Sequence, residues 1–106
     1  MSVDKFKFVC INGDIENSAY RRIDGEISSL IEQGSRNFVF VLKDINYLDS
    51  AAAGILINTL YYVQKENGSL FIIAHGEKTR GVLTMAGFHH FIKIFSSKDE
   101  FLEIRG

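Results

Sequence analysis

Apolar and polar positions along the chain fall into eight alternating blocks. Residues 5–11, KFKFVCI, alternate and then turn continuously apolar, the pattern of a strand. NGD at 12–14 closes it with turn chemistry. From about Ser18, Tyr20, Ile23, Ile27, Leu30 and Ile31 recur at helical spacing, and Gly34 supplies a stop. Gly25 lies inside this helix at a cost of roughly 0.5–1 kcal/mol, so the periodicity carries the assignment. FVFVL at 38–42 and SLFIIAH at 69–75 are continuous, β-branched and aromatic, as strands covered on both faces are. Between them a helix is expected over about 51–66, opened by Asp49 or Ser50 as N-cap and ended by Asn67-Gly68. A short helix over roughly 78–86 stops at Gly87, and HFIKIF at 90–95 reads as a third internal strand. SSKDEFLEI reads as a closing helix, with Ser97 at the N-cap and Glu100 at N3 in a reciprocal capping box.

The order βαβαβαβα predicts an α/β fold with a mostly parallel four-stranded sheet and crossover helices. A length of 106 residues fits one domain over 1–106, and 46% hydrophobic residues exclude wholesale disorder. Twelve basic residues against thirteen acidic ones give a net charge of −1, and the basic ones are scattered. A nucleic-acid or anionic-membrane surface needs a concentrated basic patch, so neither partner is expected. No apolar run approaches the ~18 residues of a membrane span, and MSVDKFKF lacks a signal-peptide pattern. A soluble cytoplasmic protein without membrane insertion is the resulting expectation. The single cysteine, Cys10, excludes an internal disulfide and a cysteine metal cluster; its strand position predicts a buried thiol.

Candidate chemistry gathers in NYLDSAAAGILINTL, residues 46–60, which follows the second strand at the sheet end where ligands of parallel sheets collect. Ser50 as a nucleophile would need a base, but His75, His89 and His90 have no triad-like placement and DSAAAG is no G-x-S-x-G elbow. A capping role suits Ser50 better. His89 and His90, adjacent beside a strand, are expected on opposite faces and so unable to share a metal ion. DSAAAG lacks the glycines and lysine of a phosphate loop; the helix N-terminus permits an anion without demanding one. A phospho-accepting receiver is a further reading. Asp44 follows a buried strand, and Asp14 with Glu16 could imitate the acidic pair that holds Mg²⁺, yet no lysine follows IKIF closely. No catalytic residue, cofactor or metal is predicted.

Three segments together resemble the STAS domain, specifically the bacterial anti-sigma factor antagonists. INGDIE (11–16) resembles the family's turn after the first conserved strand. FVFVLKDINYLDSAAAGILINTL (38–60) resembles the central strand, loop and helix, where the family has Asp-Ser-Ser-Gly-Leu-Gly. MAGFHHFIKIFSSKDEFL (85–102) resembles the ending. The resemblance implies a non-enzymatic regulator that binds a GHKL-type serine kinase acting also as an anti-sigma factor. It further implies phosphorylation of the motif's second serine, reversed by a serine phosphatase. A phosphoryl group of about −1.5 to −2 charges in a docking face adds repulsion and desolvation cost. Residue by residue, Asp49 matches the motif's aspartate, Ser50 its first serine, Ala51 the phospho-acceptor, Ala52 the glycine, Ala53 the leucine and Gly54 the last glycine. Glu16 matches an acidic residue near that site. Alanine at 51 removes the acceptor, leaving Ser50 as the substitute. Family members commonly have one more strand before KFKFVCI, for which the N-terminus here looks short, so four strands are expected, with a fifth as the alternative. STAS proteins serve lipid-transport ABC systems and signalling assemblies too, which is the alternative role.

On a helix over 51–66, Ala53, Leu56, Ile57, Leu60 and Val63 form the expected core face. Ala51, Ile55, Asn58 and Tyr62 form an opposite stripe beside Tyr61, unusual for a solvated face and suited to a protein contact. A homodimer partner or another helix would cover the same residues. Gly54 is expected to allow close packing of helix on sheet. The predicted partner-binding set is therefore Glu16, Asp49, Ser50, Ala51, Ala52, Ile55, Asn58 and Tyr62.

Overall fold

Four parallel strands lie side by side in chain order in the computed structural model, which describes residues 5–14 and 17–105. They are β1 (Lys7–Asn12), β2 (Asn37–Lys43), β3 (Ser69–His75) and β4 (Lys93–Phe95). Helices α1 (Asn17–Glu32), α2 (Ser50–Lys65) and α3 (Glu77–Met85) connect them, and α4 (Lys98–Arg105) ends the chain. The alternating order predicted from hydrophobic patterning is thus present, and the sheet is parallel throughout. A fifth strand before β1 would fall on residues outside those described.

Winding always in one direction puts the three crossover helices on the same face. Ile23 and Ile27 of α1, Leu56 and Val63 of α2 and Leu83 of α3 pack there on Val9, Phe38, Phe40, Ile72 and their neighbours. The other face carries Phe6, Val39, Ile73 and Phe95, with Phe101 of α4 packed against them. β2 and β3 are continuous apolar runs because they are covered on both sides.

Helix ends follow local chemistry. At the end of α1, Gly34 has φ +92°, its N–H donates to the Ile31 carbonyl and the Ser35 N–H to that of Leu30. This is a Schellman closure, for which glycine is the low-cost residue. Gly68, after α2, is set by space: a Cβ there would overlap the Arg36 carbonyl oxygen, which also accepts from the Ser69 N–H. The capping box of α4 is half made. Ser97 Oγ accepts from the Glu100 N–H at 3.1 Å, but the Glu100 carboxylate takes the Ser96 hydroxyl at 2.7 Å instead of reaching back to the cap.

Several expectations are corrected. The Cys10 thiol is exposed, not buried: it sits on the α4 side of an edge strand, while its neighbours Val9 and Ile11 face the three-helix side. The predicted strand 90–95 is internal in neither extent nor position. Residues Phe88–His90 form a 3₁₀ turn, and β4 occupies three residues at the sheet edge. Because that turn replaces extended backbone, His89 and His90 do not point to opposite faces; their rings lie 3.9 Å apart, centroid to centroid. Gly54 is not a close-packing device, since a Cβ there would meet nothing within 4 Å.

Candidate functional site

The turn between β2 and α2 is fastened to both neighbouring connections. The Gly13 N–H donates to the Lys43 carbonyl at 2.7 Å, tying the β1 exit to the β2 exit. Asp14 then takes the loop in its carboxylate: Oδ1 accepts from the Asn46 N–H at 2.7 Å and the Tyr47 N–H at 3.3 Å. Its Oδ2 accepts from the Asn46 side-chain amide at 2.9 Å. From the α3 side, the buried Thr79 hydroxyl accepts the Ile45 N–H at 3.2 Å. Ile45 itself is buried, and Asp44 turns the chain with φ 56°, a conformation aspartate tolerates better than most residues. These bonds hold the start of α2 in place.

Hydrogen bonds from the Asn46 side chain, then from the Asn46 and Tyr47 N–H groups, outweigh burial and hold the Asp14 carboxyl below its usual range; the nearby Lys78 adds to this. A carboxyl depressed in the folded state stabilises above its unfolded value of ~3.9, and that contribution is lost as pH falls through the lower native value. Asp14→Ala is expected to abolish hydrogen-exchange protection at the Asn46 and Tyr47 amides. The global cost should stay under about 1 kcal/mol, because the bonds face solvent. Undiminished protection at both amides would remove Asp14 as the clamp.

Asp49, not Ser50, caps α2: its Oδ1 accepts the Ala52 N–H at 2.9 Å. Ser50 is the first helical residue. It is exposed, and its hydroxyl bonds no other described residue. Ala51 is half-buried and beside it. Ala52 is buried, so it belongs to the core and not to a contact surface. Glu16 lies outside the described residues.

The faces of α2 are turned by about one residue from the predicted arrangement. Ala52, Ile55, Leu56, Thr59 and Val63 are the buried positions. Ile55 packs in the core, and the Tyr62 hydroxyl donates to the Ser35 carbonyl at 3.3 Å, so the predicted partner stripe is largely covered by α1 and its exit. Of that stripe only Asn58 is exposed and Ala51 partly so. Burial of Thr59 is affordable because its hydroxyl bonds the Ile55 carbonyl at 2.8 Å within the helix. The apolar residues that do face outward are Ile57, at 48% exposure, and Tyr61, at 74%. With Ser50 they lie along one line of the helix, and Tyr47, also exposed, leads into it. Ile57, which its hydrophobicity assigns to the core, is displaced from it by Thr59, which completes the buried 52-55-56-59-63 series.

Under the loop, Ile11, Leu42, Ile45, Leu48, Ala52 and Ile55 line an apolar cavity of about 10 Å³, roughly one water's room and no ligand pocket. Among the described residues no group of three or more His, Cys, Asp or Glu could hold a metal ion. No helix among them is long and apolar enough to cross a membrane. Both oxygens of the Asp14 carboxylate, the candidate Mg²⁺ ligand of the receiver reading, accept hydrogen bonds from the loop.

Fold and site together define a parallel α/β domain whose second crossover presents a clamped helix start and an exposed aromatic-aliphatic line. The STAS domain profile matches residues 3–101, and the chain belongs to the STAS domain family. A candidate anti-sigma factor antagonist of Thermotoga maritima is 25% identical over 73 residues, which cover 69% of this chain and 65% of that protein. The match thus spans just under two thirds of that relative's length. A crystal structure of a candidate anti-sigma factor antagonist from the same organism superposes with a TM-score of 0.82 at 20% identity, over 97% of this chain and 89% of that one. The Bacillus cell fate determinant SpoIIAA, solved in its phosphorylated form, gives 0.72 at 16% identity, over 99% and 96%.

Proposed function

We propose that this protein is a non-enzymatic regulator of the anti-sigma factor antagonist kind, acting by docking a protein partner on the exposed line of α2 and the turn before it. The supporting observation is the placement of Tyr47, Ile57 and Tyr61, large and exposed, beside a helix start held rigid by Asp14 and Asp49. Exposed aromatics that share a face with a pre-ordered loop are what a protein contact uses. Membership of the STAS family and relatives named as anti-sigma factor antagonists favour a GHKL-type kinase that doubles as an anti-sigma factor. With Ala51 at the position resembling the phospho-acceptor, the chain stays in the binding-competent state. The contact set is Asp49, Ser50, Ala51, Ile57, Asn58 and Tyr61, with Glu16 joining it from the family resemblance.

Affinity capture from the native lysate tests this reading. The wild-type chain is expected to retain a GHKL-type kinase, and Tyr61→Ala to retain at least tenfold less, with an unchanged unfolding midpoint because the ring is exposed. Equal capture of that kinase by both proteins would take the outer line of α2 out of the interface. Recovery of transporter subunits instead would move the chain to the alternative role beside lipid-transport ABC systems.

A second reading gains from one correction. Since Asp49 fills the cap, the Ser50 hydroxyl is free and exposed at a helix N-terminus, where a phosphoryl group is electrostatically favoured. On this reading the switch has moved one residue, and a serine phosphatase would reset it. Incubation with the captured kinase and ATP should then add about 80 Da, one phosphoryl group, lost in Ser50→Ala. Addition that persists in Ser50→Ala rules out this position.

A further inference from the structure

Between α1 and α2, along the edge of the buried line of α2 where Ile55 and Thr59 meet Asn58, lies a groove of about 180 Å³. Its floor is apolar: Ile27 and Ile55 are buried, and Ile31 is partly so. Its open polar groups are three, the Asp24 carboxylate, the Ser28 hydroxyl and the Asn58 amide. None of the three bonds or pairs with another described residue. Thr59 also lines the groove, but its hydroxyl is spent on the Ile55 carbonyl. The volume is below the roughly 300–1,000 Å³ of small-molecule pockets and suits one long side chain.

We propose that this groove receives an arginine side chain from the protein that docks on α2. The methylene stem lies on Ile27, Ile31 and Ile55, as long cationic side chains cover apolar surface. The planar guanidinium meets the Asp24 carboxylate and donates to the Ser28 hydroxyl and the Asn58 carbonyl oxygen. Charge complementarity selects this occupant, because Asp24 is the single charged residue lining the groove. Continuity selects the donor: Asn58 borders both the groove and Ile57 of the exposed line. The donor's identity rests on the docking reading of α2; the groove's preference for a guanidinium does not.

The test is a ¹H–¹⁵N NMR titration of the full chain with N-acetyl-arginine-methylamide. Saturable shifts confined to the amides of Ser28, Asn58, Thr59 and their neighbours are expected, with a dissociation constant on the order of 1–10 mM. Asp24→Asn, a change at an exposed helix position, should leave the rest of the spectrum in place and weaken the probe at least fivefold. N-acetyl-norleucine-methylamide, which keeps the stem without the charge, should not saturate. Equal binding of the norleucine probe, undiminished binding to Asp24→Asn, or no localised shift would each overturn the proposal. Any of these would leave the Tyr61→Ala capture result standing, and failure of that capture would leave the titration unaffected.

Discussion

Replacing Phe101 by alanine is expected to lower the free energy of unfolding by about 3–5 kcal/mol, the range for a buried aromatic truncated in a core. The ring has no solvent exposure. It touches four others, with centroids 5.4 Å from Phe6, 6.0 Å from Phe8, 5.7 Å from Phe71 and 5.3 Å from Phe95. Three of those contacts are edge-to-face, an arrangement worth about 0.5–1.5 kcal/mol each beyond area burial. Small domains hold only about 5–15 kcal/mol in all, so this one residue decides whether much of the population is folded. Urea unfolding gives the check: the midpoint should fall steeply at constant slope. A loss below about 1 kcal/mol would show that α4 rests on the sheet without closing its second face.

Placing glutamate at residue 51 is expected to separate folding from binding. Ala51 is half-buried in the first turn of α2, where a negative charge meets unpaired N–H groups. The fold should therefore gain slightly, by about 0.3–1 kcal/mol at low salt. Partner affinity should move the other way. A carboxylate pressed into a docking face loses its water without gaining a counter-charge, and about 2 kcal/mol of such cost is roughly thirtyfold in dissociation constant. Thermal unfolding of Ala51→Glu, read beside the affinity of the captured partner, measures both signs. Unchanged affinity in both Ala51→Glu and Ala51→Asp would place residue 51 outside the interface.

Much of the fold was legible because continuous apolar runs have few other uses. FVFVL and SLFIIAH could only be strands covered on both faces, and both are. The stops at Gly34 and Asn67-Gly68 were equally plain, since each supplies the left-handed or crowded backbone that ends a helix. The rotation of α2 was harder to read. Ile57, expected in the core, faces outward and Thr59 is buried, because a threonine can satisfy its own hydroxyl inside a helix. The Asp14 clamp was invisible for another reason: Asp14 and Asn46 are far apart in sequence, and no local pattern says which loop a carboxylate will hold. The cap of α2 stayed open between Asp49 and Ser50 in the sequence because serine and aspartate cap helices about equally well; Asp49 takes it.

The aromatic layer under α4 has a consequence for how the chain reaches its native state. Phe6 and Phe8 lie before the first crossover helix, while Phe101 lies beyond all three. Contacts of such long sequence separation are slow to form, because the three intervening β-α units must be closed into a loop first. During synthesis the rings of Phe6, Phe8, Phe71 and Phe95 therefore wait without a lid until the final helix has emerged. Until α4 has been made, that face of the sheet stays apolar and exposed, so α4 guards the domain against sticking to its neighbours.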